Sequence, residues 1–538
     1  MGRSFFTLVS VFFFWGFLAA SNGIFIPFCK THFHLSQFQS QLIDSAFYGA
    51  YFIGSLLLYM FSLRLNRDII NHWGYKKTII YGLLISILGA AAMIPSVNAG
   101  SFVFILSSFF LIALGFSLQQ TSANPLVLNV GNPASGSHRL NFAGSINSLG
   151  TTIGPILVSL LLFGKLIALE TDKKGASIES INTLYIILGG AFALAAVILA
   201  LTKINKLDIE EQDQKEMSIL KAPLIFILVT LLVLAVVFLY FPLRASSKGP
   251  VTDESVFLFS LSGLLFLLSA VLYAQYVRMR KSNRISTESH PHVTLGMLAI
   301  FMYVGVEVTI QSNLGSLLKE TAFGGLSDSE ISPYISLYWG SLMIGRWTGS
   351  LGAFRMSKTI NFLLTIIVPL AAFALVLFMN YLSGAGIQIF YPYLICVAVL
   401  VAAFIITKQK PALTLMVFSL LATMAMIIGL CSTGMTGTFA FMSGGLFCSI
   451  MWPSIFSLAT AGLGKYTSQA SAFLIMMILG GAFIPPLQGL IADKTGNIHF
   501  SYILTVACFL YLAFYAWQSK RILIRKGIDY DGQLDSGN

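Results

Sequence analysis

Apolar runs follow one another almost from end to end of the chain, separated by short polar stretches. "FFTLVSVFFFWGFLAA" opens at Phe5, "ILSSFFLIALGF" closes at Phe116, and "LLTIIVPLAAFALVLFM" begins at Leu363. A run of roughly 20 apolar residues is the length of a helix that crosses a bilayer's hydrocarbon. A membrane barrel would instead show segments of about ten residues in alternating polarity. The pattern predicts about 16 helices, starting near Phe5, Leu42, Thr78, Phe102, Leu140 and Leu184, then Pro223, Val256, Val293 and Tyr334, and finally Ile360, Ile389, Leu413, Phe439, Ala472 and Phe500.

Composition fixes the class. Of 538 residues 56% are hydrophobic and only 10% charged, against about 25% charged in soluble domains. The net charge of +11 does not indicate nucleic acid, because the basic residues fall in short clusters between apolar runs, as cytoplasmic loops do. With the N-terminus inside, about three-quarters of the 32 Lys and Arg fall on the cytoplasmic side, among them Arg64, Lys76, Arg280 and Lys408. Both termini are therefore expected in the cytoplasm. The five cysteines lie in or beside apolar segments with no metal-type spacing, and read as small apolar residues. No metal site and no resident cofactor is expected. "IFIPFCKTHF" after the first run lacks a small-residue cleavage site, so a retained first helix is expected.

The chain repeats weakly. Asn124-Pro125 followed by "GTTIGP" resembles Trp452-Pro453 followed by "GGAFIPP", about 330 residues on, whereas the first helix maps on Val293 with an offset near 290. The difference of about 40 residues is the length of two extra helices. Parallel repeats related by an axis along the membrane normal are a transporter plan. The expected organisation is an N-terminal six-helix bundle over 1–205, an inserted helix pair with linkers over 206–288, a C-terminal bundle with a second inserted pair over 289–527, and a tail over 528–538.

Polar side chains inside the apolar runs carry the chemistry. "LQQTSANP" ends the fourth run, and Gln120 and Asn124, four apart, share one helix face, with Gln119 beside them. The next run holds Asn141 with Ser145 and Asn147 with Thr151; its counterpart after Val293 stacks Tyr303, Glu307 and Gln311 at i, i+4 and i+8. The first helix holds Ser21 and Asn22. Amides, hydroxyls and an aromatic ring suit a neutral polyhydroxylated ligand; the plainer reading is that they join helices to one another. Glu307 resists that reading, because an acid at the centre of a span costs roughly 2.5–3.5 kcal/mol on insertion. Asp44, near the outer end of the second helix, reads as an interfacial acid. Arg139 and Arg346, at cytoplasmic helix ends, read as anchors or loop contacts. "NHWGYKK" keeps only Gly74 and the lysines of the facilitator loop signature, and "GLIADKTGN" mimics that signature on the outer side.

"FFFWGFLAASNGIFIP", "GFSLQQTSANPLV", "HRLNFAGSINSLGTTIGP", "YVGVEV", "GRWTGS" and the block from Met451 to Asp493 resemble the fucose–galactose–glucose:proton symporter family of the major facilitator superfamily, nearest its glucose/galactose branch. The resemblance covers most of the core helices and leaves out the insertions at about 210–285 and 360–431. It implies an all-α major facilitator fold of two six-helix halves plus about four inserted helices, and a bacterial inner-membrane monosaccharide carrier that works by rocking. Asn22 matches an asparagine of the family's helix-one Asn-Asp pair, and Asn147 matches its sugar-site asparagine. Gln120 stands where fucose members carry a glutamate and glucose/galactose members a glutamine. The family's helix-one aspartate is Gly23 here, so the usual proton-carrying acids are absent. Glu307 becomes the first candidate for cation coupling and Asp44 the second. The co-transported ion (H⁺, Na⁺ or none) stays open, as does the sugar.

The implied partners are a monosaccharide and membrane lipid, with no nucleic acid, in a monomer. Two alternatives stand beside cation-coupled symport: a uniporter, and a membrane sugar sensor, which the short tail after Trp517 disfavours. No nucleophile–base or metal constellation supports an enzyme.

Overall fold

The computed structural model describes residues 5–18, 37–65, 68–129, 133–163, 178–202, 290–354, 356–382 and 384–532. All regular structure among them is helical. Ten helices are long and apolar enough to cross a membrane, and two shorter apolar stretches, at Phe5–Leu18 and Ala46–Tyr59, add to these. Helices suit such a setting because each satisfies its own backbone polar groups where water is absent. The inserted pair expected over 206–288 and Asn22 lie outside the described residues.

The N-terminal part comprises α1 (Phe5–Leu18), α2 (Gln37–Leu65), the short α3 (Ile69–Trp73), α4 (Tyr75–Asn98), α5 (Phe102–Asn129), α6 (Gly136–Phe163) and α7 (Ile178–Leu201). The C-terminal part runs from α8 (Pro291–Lys319) and α9 (Asp328–Ser350) through α10 (Lys358–Leu382) and α11 (Leu394–Thr407) to α12 (Pro411–Cys431). It continues with α13 (Gly434–Cys448), α14 (Met451–Thr460), α15 (Thr467–Met476), α16 (Gly480–Thr495), α17 (Ile498–Ser501) and α18 (Ile503–Arg525). Local chemistry sets many ends. Proline stands at the first turn of α8 and α12, where a missing N–H costs nothing. Ser327 and Glu330 form a reciprocal capping box on α9, and Gly496 closes α16 in the left-handed conformation.

The repeat seen in the sequence is a repeat in packing. In the N-terminal part α4 packs on α5 and α7, and α2 on α5; in the C-terminal part α12 packs on α13 and α18, and α9 on α13. The crossings of α1 with α6 and of α8 with α16 also correspond. A Cβ at Gly150 would strike the Phe13 carbonyl, and one at Gly480 the Phe301 carbonyl. Close backbone approach through small residues is how helices associate without a hydrophobic drive. Phe13 and Phe301 are about 290 residues apart, Gly150 and Gly480 about 330. α10 and α11 stand between α9 and α12 in the chain and show many exposed apolar side chains, as a lipid-facing surface would.

Two C-terminal passes are interrupted. α13 and α14 are separated at Ser449–Ile450, and a 3₁₀ turn at Met477–Leu479 separates α15 from α16.

The two parts meet through α6 and α9, neither among the ten apolar spans. They run antiparallel: Thr152 Oγ1 donates to Met343 Sδ at 3.3 Å, Arg346 to Ser148, and Trp347 Nε1 to the Ser145 carbonyl at 3.3 Å. A second junction joins α15 to α2, α3 and α5. Ser468 donates to Asp68, Ser471 Oγ donates to the Thr121 carbonyl at 2.8 Å, and the Tyr59 and Phe473 rings lie 4.8 Å apart. Asp68 also caps α3, accepting from the N–H groups of Ile70 and Asn71. Burial pushes its carboxyl above the usual range, and these hydrogen bonds act against that rise. Both junctions lie toward the ends where the basic clusters fall. There the chain's end also folds back, Asp531 accepting from Ala412 N at 3.2 Å and pairing with Lys520 at 2.9 Å.

The glycine crossings carry a prediction. Gly150→Val and Gly480→Val force backbones apart and are each expected to abolish accumulation of folded protein in the membrane. Gly190, which has no atom within 4 Å of a built Cβ, is the control: Gly190→Ala is expected to be neutral or stabilising by up to about 1 kcal/mol. Yield and melting temperature of the purified variants check this.

Candidate functional site

The site forms where α6, α8, α9 and α14 converge, with α5 and α2 close by. Glu307 on α8 and Arg346 on α9 make an ion pair, Arg346 Nη2 lying 3.0 Å from Glu307 Oε1. The side chains are 12% and 14% exposed respectively, so the pair is largely buried yet keeps an open edge. Nη2 also reaches the Tyr303 hydroxyl at 3.5 Å. Nη1 crosses to the N-terminal part, donating to Ser148 Oγ at 3.0 Å and Asn147 Oδ1 at 3.5 Å. One guanidinium thus touches both parts of the molecule. The Tyr338 hydroxyl holds α8 in register by donating to the Glu307 carbonyl at 2.6 Å.

The expected column on α8 is present as a row of positions, but its members differ in surroundings. Tyr303 is buried, its ring 6.2 Å from that of Trp452. Glu307 is in the ion pair, and Gln311 is half-buried. Asn147 is half-buried; its amide donates to the Phe12 carbonyl at 3.0 Å while its oxygen faces Arg346.

The opening glutamines part company. Gln119 is fully buried within the N-terminal part, accepting from Trp15 Nε1 at 2.9 Å and donating to Ser86 Oγ at 3.1 Å. Gln120 is half-buried and donates to the Tyr51 hydroxyl at 3.1 Å. Asn124 is buried, and neither amide atom has a hydrogen-bond partner among the described residues. Of Asp44 only its place in α2 is described.

Arg139 donates to the carbonyls of Val127 and Leu128, a loop-packing contact as expected from sequence. Arg346 does not behave as the anchor expected of it. It lies a full turn inside α9, and its charge answers that of Glu307. The sequence does not single out Ser148 or Tyr338, and it marks Trp452 only through the repeat. The one signal pointing to Arg346 is the acid itself, since a buried carboxylate needs a nearby cation. Among the described residues no group of three or more His, Cys, Asp or Glu could hold a metal ion.

Residues 5–318 match the Major Facilitator Superfamily. The chain is 28% identical over 510 residues to a glucose/galactose transporter of Brucella abortus, covering 95% of this chain and 92% of that protein. It is 30% identical over 525 residues to a putative glucose/galactose transporter of Helicobacter pylori, covering 95% of each. The solved fucose:proton symporter of Escherichia coli superposes with a TM-score of 0.62 at 23% identity, over 96% of this chain and 98% of that one.

The two glutamines should separate experimentally. Gln119→Ala strands the Trp15 N–H in the core, although Ser86 keeps the Gly82 and Ile112 carbonyls, and is expected to destabilise the protein by about 1–3 kcal/mol. Gln120→Ala removes one half-exposed bond and is expected to cost under about 1 kcal/mol. Thermal unfolding in detergent measures both; equal losses would contradict the assignment.

Proposed function

The chain belongs to the Major Facilitator Superfamily, and from that premise we propose that it carries a neutral monosaccharide of the glucose, galactose or fucose kind across a bacterial inner membrane. Its two halves rock about the central site to give alternating access. The observation that carries this reading is the chemistry of the seam between the halves. Where α6 meets α9, the half-buried amide of Asn147 and the hydroxyls of Ser148 and Tyr303 surround the Arg346–Glu307 pair, with the half-buried Trp452 ring beyond Tyr303. Gln311 follows Glu307 one turn along α8, and Gln120 is half-buried on α5. Such groups donate to and accept from sugar hydroxyls, and an aromatic face stacks on a sugar ring. Asn22 and Asn124 belong to the proposed sugar-facing set, whereas Gln119 supports that set through Trp15 and Ser86. The names of the relatives and the fold of the fucose:proton symporter support the substrate class. No enzymatic step is involved, and no resident cofactor is needed in this reading.

Cation coupling is proposed at Glu307, with Asp44 as the fallback. Because Glu307 is paired with Arg346, a proton or sodium ion taken there competes with the guanidinium, so coupling is an exchange of partners. The same pair favours a second reading, uniport: a carboxylate already neutralised by arginine has no need of a travelling cation. The proposed organisation is a monomer of 16 helices, a twelve-helix core with inserted pairs over 206–288 and at α10–α11, and both termini cytoplasmic.

Three measurements test these proposals. Gln120→Ala and Asn147→Ala are each expected to weaken sugar binding by a few-fold to about tenfold, the worth of one hydrogen bond of about 0.5–1.5 kcal/mol. Unchanged affinity in both would leave these residues as helix contacts only. In proteoliposomes under proton or sodium gradients, Glu307→Gln is expected to abolish uphill accumulation and spare downhill exchange; accumulation that survives in this variant would reject Glu307. Downhill transport without accumulation under any gradient, little changed by Glu307→Gln, would establish uniport. For topology, cysteines placed at Lys173 and Lys248 are expected to label from outside and those at Arg280 and Lys408 from inside; labelling of positions 248 and 280 from one side would refute the inserted-pair arrangement.

A further inference from the structure

Glu307 and Arg346 are the charged side chains of the central site among the described residues, and they face each other at 3.0 Å. Their surroundings are uncharged: Tyr303, Ser148 and Asn147 on the guanidinium, with Trp452 beyond Tyr303. Each partner keeps an open edge, 12% for Glu307 and 14% for Arg346. Because Arg346 bonds Glu307 on one side and Ser148 and Asn147 on the other, a ligand that reaches this seam meets both charges at once.

We propose that this pair is a charge filter, in which Glu307 masks Arg346 as a latent carboxylate-binding group and so restricts the site to uncharged sugars. The inference rests on the transport reading above and adds to it which ligands are refused, and why. A neutral sugar takes hydrogen bonds from the amides and from the open edges of the pair without disturbing it. A sugar acid would bring its carboxylate to the guanidinium, whose planar fork matches that shape, but Glu307 already occupies Nη2 and repels the newcomer. An amino sugar meets the mirror obstacle, since its ammonium is drawn to Glu307 and repelled by Arg346. Low local dielectric amplifies both repulsions relative to water. Refusal of this kind comes from placed charge rather than from shape.

Removing either partner should then invert the preference for charge. The test is equilibrium binding to the full chain in detergent, with glucose and galactose as neutral probes, glucuronate and galacturonate as acids, and glucosamine as the cation. The unaltered protein is expected to bind a neutral sugar at least about tenfold more tightly than the charged ones. Glu307→Gln is expected to raise uronate affinity about tenfold or more relative to the neutral sugar, and Arg346→Gln to do the same for glucosamine. The double variant should lose both gains and keep its neutral preference. Since a single variant leaves a buried charge unpaired and can fail to fold, each single variant decides on its own. Glu307→Asp, which keeps the charge but draws it one methylene back from Arg346, is expected to gain a few-fold in uronate affinity. Folded variants that bind neutral sugar with an unchanged ratio of charged to neutral affinity would overturn the filter alone. Failure of the unaltered protein to bind any neutral sugar would overturn the transport reading and the filter with it.

Discussion

An ionised carboxylate inside a membrane bundle is tolerated only beside a compensating charge, and this requirement organises the middle of the protein. Glu307 on α8 finds that charge on α9, in Arg346. The guanidinium has donors to spare, and they reach Ser148 and Asn147 on α6. A need local to the C-terminal half thus becomes a bond between halves. It also accounts for the placement of α6 and α9, two long helices that are not among the apolar spans. Facing lipid, their Ser, Asn and Arg side chains would lack partners; facing each other, they supply them.

Much of this was legible in the sequence, for physical reasons that differ by feature. Helix lengths could be read because hydrocarbon thickness imposes one rule on every pass. The repeat could be read because the glycine crossings leave no tolerance for side chains, so Gly150 and Gly480 keep their places while the insertion between them shifts the offset. The column of Tyr303, Glu307 and Gln311 follows from helical geometry alone. What could not be read is how one helix is set against another. Neighbours such as Gln119 and Gln120 point about 100° apart on a helix, so one turns to Trp15 and Ser86 while the other turns to Tyr51. Arg346 sits between Gly345 and Trp347, one turn from a helix end, which is also the local signature of an anchor. Only the carboxylate on a different helix distinguishes the two roles.

The halves correspond in packing but not in stiffness. α5 and α6 run unbroken, whereas their C-terminal counterparts are interrupted at Ser449–Ile450 and at the 3₁₀ turn Met477–Leu479. Weakened hydrogen-bond ladders of that kind are where helices bend. The turn at 477–479 lies directly before Gly480, whose contact with Phe301 fixes the α8–α16 crossing. A bend there would carry α15, and with it the contacts to Asp68 and Thr121, relative to that crossing.

Asn124 gives the junction of α15 with α5 a thermodynamic character of its own. Both of its amide atoms are buried without a partner among the described residues, in the helix whose Thr121 carbonyl accepts the bond from Ser471. A buried amide left unmatched costs roughly 1–3 kcal/mol, which a ligand hydroxyl reaching Asn124 would offset. A device that must visit two shapes in every cycle is slowed by excess stability in either, and a difference of this size shifts the ratio of two populations by roughly five- to 150-fold.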